Sequence, residues 1–306
     1  MQSSRLLPHT RAVLQALLVT FLWSTSWVII KFGLKDLPPL TFAGLRYTLA
    51  FLCLLPFALR KLQKENLQPL APADWGRLVV LGILFYSLTQ GAQFFGLAAL
   101  PAVTVSVLLN FTSPLVAFLG IIFLSERPSR LQWAGVALFL VGMLTFFYPV
   151  SFPANQVLGL LVVLAGVLAN SLAGILGRSI NRSRELSPLL VTVISMGIGA
   201  PLLLVAGILL QGWVELSLAS ISMIAWLAVV NTAFAFTLWN RTLQELSAIE
   251  STIINGTMLV QIAVLAVVFL DETLSFQQVS GMVLVAVGAV LVQMVGRSTR
   301  SNAASR

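Results

Sequence analysis

The chain has 306 residues, of which 58% are hydrophobic and only 9% are charged, and its mean hydropathy is +0.97. This composition excludes an ordinary soluble domain and indicates an integral membrane protein. The net charge of +8 is spread over short segments between apolar runs and forms no basic stripe with interleaved aromatics, so no nucleic-acid partner is expected. Cys53 is the only cysteine and lies in an apolar run, which excludes disulfides and cysteine metal sites; no metal or cofactor is expected.

Ten apolar runs approach the length of a membrane-spanning helix, about 20 residues. The first follows Arg5 and Arg11, contains Trp23 and Trp27, and has no small-residue cleavage site, so we interpret it as a retained helix and not as a secretory signal. The predicted helices cover residues 12–34, 38–59, 75–98, 101–124, 130–149, 156–177, 187–211, 218–240, 247–270 and 276–296. In the third, Asp74 is expected to cap the helix before Trp75.

Residues 101–145 recur without a gap at 247–291, which is 146 residues later, with twelve identical positions. In both copies a serine and a glutamine three residues apart, Ser129 with Gln132 and Ser275 with Gln278, predict a capping box at the start of the second helix. Two glycines lie seven positions apart in that helix, at 135 and 142 and at 281 and 288, which predicts packing seams. In the sixth helix Gly166, Asn170 and Gly174 form a small-residue stripe on which another helix can lie closely.

This duplication predicts an all-α integral membrane protein with ten transmembrane helices in two five-helix repeats. Because five is odd, the second repeat must insert with opposite polarity. We assign residues 1–150 to the first repeat, 151–297 to the second and 298–306 to a cytoplasmic tail.

The positive charges lie mainly on one side of this topology. With the N-terminus in the cytoplasm, 15 of the 18 lysines and arginines fall in tails and loops on that side, and the external loops near residues 100, 150, 214 and 273 have none. The positive-inside rule therefore predicts a multi-pass protein of the inner, cytoplasmic membrane with both termini in the cytoplasm and the lipid bilayer as a partner. The choice between a monomer and a homodimer stays open.

Three segments carry a family resemblance: FLWSTSWVIIKFGL in the first helix, LRYTLAFLCLLPFAL in the second, and SPLVAFLGIIFLSERPSRLQWAGVALFLVGML in the fourth and fifth. They resemble the EamA-type repeat of the drug/metabolite transporter superfamily, and the resemblance covers nearly the whole chain as two repeats. It implies a ten-helix carrier that exports amino acids, other metabolites or toxic compounds. The second repeat has Val260 where the first has Pro114, so a kink at this place is expected in the first repeat only.

Polar and aromatic side chains inside a bilayer usually face a cavity or a neighbouring helix. They recur at helical spacing, and the candidate substrate-binding residues are Trp23, Trp27, Arg46, Tyr86, Gln90, Gln93, Asn110, Asn170, Asn231, Trp239 and Asn255. For each asparagine and glutamine, a bridge between two helices is the alternative. Aromatic walls with a few amide groups suit an amphipathic small-molecule substrate such as a larger amino acid.

Arg46 lies about 12 Å beyond the predicted start of its helix, since eight residues rise 1.5 Å each. At that depth it needs a partner, for which Asp36, carbonyl groups at a broken helix and a substrate carboxylate are the candidates. The family resemblance includes an arginine here whatever the cargo, which implies a structural role as the alternative.

The acidic residues all lie in loops or within about one turn of a predicted helix end. The first helix in particular lacks the glutamate that the small multidrug exporters of the same superfamily carry there. We therefore expect a secondary transporter that exports a small metabolite or amino acid by alternating access, as a uniporter or exchanger.

Three alternatives stay open. In a proton-coupled exporter of drugs or toxic compounds, Glu250 would carry the proton, although Ser247 and Glu250 also fit a capping box. A membrane-embedded enzyme would need clustered nucleophiles, histidines or paired carboxylates near one face, which the sequence lacks, so no enzyme is expected. A receptor or scaffold is the third.

Overall fold

The computed structural model describes residues 3–64, 71–124, 128–149, 153–183, 186–246 and 248–294. Across these ranges every regular element is helical, and ten helices are long and apolar enough to cross a membrane. They are α1 Ser3–Gly33; α2 Pro39–Lys64; α3 Pro72–Gly82, Ile83–Thr89 and Gln90–Ala99; α4 Ala102–Asn110 and Thr112–Leu124; α5 Arg130–Phe147; α6 Ala154–Ser183; α7 Pro188–Gln211; α8 Leu218–Ala228, Val229–Phe234 and Ala235–Glu245; α9 Ala248–Phe269; and α10 Phe276–Met294. The all-α, ten-helix membrane fold is confirmed.

Both predicted capping boxes are present. At the start of α5, Ser129 N donates to Gln132 Oε1 at 2.8 Å and Gln132 N donates to Ser129 Oγ at 3.3 Å. At the start of α10, Ser275 N donates to Gln278 Oε1 at 2.9 Å and Gln278 N donates to Ser275 Oγ at 3.2 Å. Each pair satisfies two backbone donors that the first turn of a helix leaves without a partner.

The start of α3 differs from the sequence interpretation, in which Asp74 capped the helix. The helix begins earlier, at Pro72, and Asp74 lies within its first turn, where Arg77 Nη1 donates to its carboxylate at 3.3 Å. Proline suits the first turn because its missing N–H would have had no partner there. The expected cap is therefore wrong.

A π-helical stretch interrupts α3 and α8 at the same place. It covers Ile83–Thr89 in α3 and Val229–Phe234 in α8, and in each helix it follows an α-helical start of 11 residues, Pro72–Gly82 or Leu218–Ala228. The two starts, at positions 72 and 218, are 146 residues apart, which is the spacing of the sequence repeat. The duplication therefore extends to the third helix of each repeat.

The fourth helix of each repeat shows the expected difference. A turn at Phe111 breaks α4 three residues before Pro114, whereas α9 runs unbroken through Val260. Proline has no N–H to donate to the carbonyl four residues earlier, which here belongs to Asn110. The kink is confined to the first repeat, as predicted.

The helices group into two compact units. The first unit contains residues 1–28, 101–154 and 235–306, and the second contains residues 29–100 and 155–234. Each unit thus takes segments from both sequence repeats. The predicted boundary between the two sequence repeats, at residue 150, is a different division of the chain and stays a prediction.

In the first unit, α5 and α10 pack through the predicted glycine seams. A Cβ at Gly142 would lie 2.8 Å from Gly281 O, and one at Gly135 would lie 3.0 Å from Gly288 O. Since 135 is equivalent to 281 and 142 to 288, the repeat exchanges the two contacts. The pairing also makes the two helices antiparallel, which is the relation that inverted repeats require.

In the second unit, small residues let α3 approach two neighbours. Gly82 lies against Ser195 and Gly199 of α7, and Gly166 of α6 lies against Ala92 of α3. The sequence pattern had extended the small-residue stripe of α6 from Gly166 to Gly174. Gly174 is exposed, however, and the second close approach of α6 is made by Gly159, seven residues before Gly166.

Candidate functional site

Arg46 is the buried cation of the second unit. It lies on α2 with 4% of its surface exposed, and its Nε donates to Thr232 Oγ1 on α8 at 3.2 Å. Its guanidinium carbon lies 5.0 Å from the ring centre of Tyr47 and 5.9 Å from that of Phe94. Both are cation–π distances. Of the partners expected from the sequence, neither Asp36 nor a backbone carbonyl forms a hydrogen bond or an ion pair with Arg46 among the residues that the structure describes.

The hydroxyl group of Thr232, which accepts this bond, is oriented by a hydrogen bond that it donates. Its hydroxyl donates to Leu227 O at 2.9 Å, across the wide turn of the π-helical stretch of α8. That leaves an oxygen lone pair for Arg46 Nε. Asn231 precedes Thr232 in the same stretch, and both residues are fully buried.

Tyr47 joins Arg46 to the polar face of α3. Its hydroxyl donates to Gln90 Oε1 at 2.6 Å, and its ring lies 5.9 Å from that of Tyr86. The structure therefore brings together three predicted residues, Arg46, Tyr86 and Gln90, through one that was not predicted. Gln93, expected on the same face, is partly buried and takes no part in the hydrogen bonds of this cluster in the described ranges.

An aromatic cluster lies in the first unit, where α1 meets the last part of α8. The ring centre of Trp23 lies 5.3 Å from that of Trp239 and 5.4 Å from that of Phe236, both in tilted geometry. Two predicted residues, Trp23 and Trp239, are thus brought together. Trp27, one turn further along α1, is buried, with 6% of its surface exposed.

A polar ladder beside this cluster was missed by the sequence interpretation. Ser24 Oγ donates to Gln261 Oε1 at 2.9 Å, and Gln261 Nε2 lies 3.3 Å from Thr20 Oγ1 and 3.0 Å from Thr257 Oγ1. Gln261 joins α1 to α9, which is the helix-bridging role that we had kept as the alternative for amides. The signal was present, since Gln261 is a glutamine in the middle of an apolar run.

The remaining candidates are dispersed. Asn110 is partly buried and its Nδ2 donates to Ser106 O of the preceding turn at 2.8 Å, which is a local bond within α4. Asn170 is partly buried on α6, and Asn255 on α9 is exposed. In the described parts of the chain no three His, Cys, Asp or Glu side chains lie together in a way that would hold a metal ion.

Glu250 contacts the first helix. Its Oε1 lies 2.8 Å from His9 Nε2, and the two side chains are 39% and 45% exposed, respectively. Ser247, its predicted partner in a capping box, lies outside the described residues.

Several transporters of known or proposed cargo resemble this protein over most of the chain. A probable amino-acid metabolite efflux pump of Salmonella typhimurium is 27% identical over 89% of this chain and 91% of its own length. An S-adenosylmethionine/S-adenosylhomocysteine transporter of Chlamydia trachomatis is 26% identical over 78% of this chain and 75% of its own. One crystal structure shares the fold with a TM-score of 0.66 and 18% identity, over 94% of this chain and 99% of that one.

The family itself is shown by two matches that together cover most of the chain. The sequence profile described as the EamA-like transporter family matches residues 10–148 and again residues 157–294. The two matches coincide with the two repeats that the duplication defines, and each contains five of the ten apolar helices. The chain is a membrane transporter that belongs to the EamA-like transporter family.

Proposed function

We propose that this transporter exports a small amphipathic metabolite of the amino-acid type across the cytoplasmic membrane, by alternating access and as a uniporter or exchanger, with both termini in the cytoplasm. The observation that carries the proposal is the pair of π-helical stretches in α3 and α8, 146 residues apart. In transporters built from inverted repeats, one repeat moves against the other around a fixed site, and interrupted helices at corresponding positions of the two halves point to that site.

The π-helical stretches have the properties expected of such elements. A wide turn weakens the regular hydrogen-bond ladder and is frequent at functional sites. In both stretches a threonine hydroxyl donates to the carbonyl five residues earlier, Thr89 to Leu84 at 2.8 Å and Thr232 to Leu227 at 2.9 Å. A side chain thus stabilises the irregular backbone in each repeat, which supports a functional role for the irregularity.

The chemistry of the side chains supports the cargo class. Tyr86 and Gln90 belong to the cluster around Arg46 and Tyr47 in the second unit, and the rings of Trp23 and Trp239 pack against each other in the first. Aromatic faces with a few oriented polar groups are typical of sites for amphipathic small molecules. The names of the relatives, an amino-acid metabolite efflux pump and a transporter of an amino-acid derivative, support the same class.

Counterflow in liposomes tests the proposal. Vesicles loaded with excess unlabelled L-phenylalanine, L-leucine, L-methionine or S-adenosylmethionine receive a trace of the same compound, radiolabelled, outside. A carrier that works by alternating access transiently accumulates the label, whereas protein-free vesicles only equilibrate it. Absence of counterflow with every compound, in vesicles whose protein is folded by its thermal unfolding profile, would overturn the proposal and favour a receptor or scaffold.

Cysteine labelling tests the site residues. Cysteines placed singly at Trp23, Tyr86 and Gln90 should react with a small polar thiol reagent and be protected by a cargo that shows counterflow, with Cys53 replaced by serine beforehand. A cysteine at Val267, an exposed apolar position of α9, serves as the lipid-facing control. Uniform inertness at the three site positions would mean that these residues pack between helices.

A further inference from the structure

We propose that Arg46 and Gln90 form a subsite for the carboxylate of the cargo, so that the transporter selects monocarboxylates such as zwitterionic amino acids over their amides and amines. This inference rests on the proposed transport function and names part of the substrate that it requires. It is carried by the unused hydrogen-bond donors of one buried cluster in the second unit.

The charge of Arg46 is not balanced within the cluster. A guanidinium group keeps its proton in proteins, so burial cannot neutralise it. The ion pairs seen among the described residues join His9 with Glu250 and Asp74 with Arg77, and neither includes Arg46. The rings of Tyr47 and Phe94 and one hydroxyl compensate part of the lost hydration, but they supply no negative charge. An anion is the partner that the site lacks.

The guanidinium group is held in a defined orientation. Nε is committed to Thr232 Oγ1, which is fixed in turn by its own bond to Leu227 O. The Nη1 and Nη2 groups have no acceptor among the described residues, and neither nitrogen is completely enclosed. Two parallel N–H donors of arginine match the two oxygens of a carboxylate.

Gln90 adds a third donor of the same kind. Because Tyr47 Oη donates to its Oε1, the amide is oriented with the NH₂ group left over. That nitrogen is likewise not fully enclosed and has no acceptor in the described ranges. Tyr47 contacts both residues, one through its ring and the other through its hydroxyl. The groups of the two side chains that have no hydrogen-bond partner are therefore all donors. They fit a ligand that only accepts hydrogen bonds.

The charge count favours a monocarboxylate over a phosphate. Arg46 is the one cation within this cluster of described residues, and a single guanidinium balances a single negative charge. A phosphate dianion would leave one charge unbalanced in a buried place. Chloride has the right charge but is a single atom, so it cannot place a separate acceptor opposite each donor of the planar fork as a carboxylate does.

Binding of matched acid and amide pairs tests the inference. The full-length protein in detergent is titrated with L-phenylalanine, L-leucine and L-methionine and with the amide of each, followed by tryptophan fluorescence. For at least one pair the acid should bind about tenfold or more tightly than the amide, since the amide loses one acceptor and the negative charge. Sodium chloride and inorganic phosphate are the competitor arms: competition by either below the concentration at which the acid saturates would mean a general anion site and overturn the carboxylate assignment.

Variants assign the preference to the two residues. Arg46→Gln should reduce the ratio of acid to amide affinity to about one, and Gln90→Leu should lower it several-fold. Arg77→Gln, which removes an exposed arginine of α3, is the control and should leave the ratio unchanged. If Arg46→Gln does not fold, Arg46→Lys keeps the charge without the fork and should lower the ratio. A ratio that stays at the wild-type value in the folded Arg46 variants, or a wild-type protein that prefers no acid over its amide, overturns the inference.

Flux separates this inference from the proposed function. Counterflow of amides and amines with equal or better efficiency than acids would leave the transport function standing and remove the carboxylate subsite. Absence of counterflow with all compounds would remove the function, while an acid preference in binding that depends on Arg46 would still support the subsite.

Discussion

The carboxylate of Glu272 caps the helix that begins at Ala102. Its Oε1 accepts a hydrogen bond from Ala102 N at 2.5 Å, and its Oε2 accepts one from Val103 N at 3.1 Å. Glu272 lies between α9 and α10, in the second sequence copy, whereas Ala102 begins the first helix of the other copy, so the bonds join α4 to the segment before α10 within the first unit. Glu272 therefore has a structural role as a helix cap, whereas Glu126, its counterpart in the first copy, lies outside the described residues.

Glu272→Ala should destabilise the protein by about 1 kcal/mol, because two backbone N–H groups lose their acceptor and the helix N-terminus loses a negative charge. Thermal unfolding in detergent measures the change. Glu215→Ala, at an exposed glutamate between α7 and α8, is the control and should change little. Equal effects of the two substitutions would contradict the capping role.

Gly142→Ala should destabilise the first unit by about 1–3 kcal/mol. The added methyl group would lie 2.6 Å from Val285 N and 2.8 Å from Gly281 O, and backbone atoms of α10 can yield only if the helix moves. The matched control is Gly76→Ala, also inside a helix, where a Cβ meets nothing within 4 Å and the higher helix propensity of alanine should slightly stabilise the protein. Denaturation in mixed detergent micelles compares the two, and a neutral Gly142→Ala would exclude the close antiparallel packing of α5 with α10.

Thr89→Val should slow counterflow several-fold with only a small loss of stability. The substitution keeps the shape of the side chain but removes the hydroxyl that donates to Leu84 O across the π-helical stretch of α3. Thr145→Val removes a comparable bond to Val141 O, four residues earlier, in the regular helix α5, and is the control. If the two variants transport equally fast, the π-helical stretch does not take part in the transport cycle.

The sequence was sufficient to predict the helices because each apolar run is long enough to span a bilayer and ends at a charge, a proline or a capping residue. It also predicted the one-sided break of α4 from Pro114, and from the spacing of four glycines it predicted packing seams on α5 and α10, although not that these two helices pack on each other. The helices and the break at Pro114 depend on neighbouring residues in the chain, and the glycine seams depend on helices that occupy equivalent positions in the two repeats. They therefore follow from patterns that a single sequence contains.

The π-helical stretches and the partner of Arg46 were not predictable in this way. One extra residue in a turn does not alter a hydropathy pattern that is apolar on all sides, so Ile83–Thr89 reads as an ordinary helix. Thr232 lies 186 residues from Arg46 and is a small polar residue in an apolar run, where many threonines simply bond to their own helix. The position of Arg46 deep in an apolar run indicates that it needs a partner. Only the packing of α2 against α8 identifies Thr232 as that partner.

Reporter fusions should establish the proposed orientation. Fusions near residues 65, 128 and 182 should report the cytoplasm, and those near 152 and 273 the outside, because the lysines and arginines are concentrated in the first three segments. The segment near 182 is the sharpest test, since the ten-helix order and the placement of α6 and α7 both depend on it. An external reporter at that position would reject the proposed topology.

Glu250→Gln should leave transport intact, because proton coupling through a carboxylate requires a group that is shielded from water and exposed to one side at a time. Glu250 is 39% exposed and contacts His9 at 2.8 Å near the start of α9, so its carboxylate is not shielded by the surrounding protein. The measurement imposes a pH gradient on vesicles that contain the protein and compares uptake by the wild type, Glu250→Gln and His9→Gln. We expect all three to equilibrate the cargo without accumulating it, and both variants to lose at most a small amount of stability, since a partly exposed ion pair contributes little. Uphill accumulation by the wild type that disappears in Glu250→Gln but persists in His9→Gln would instead identify Glu250 as the coupling site, and the transporter would be a proton-coupled exporter.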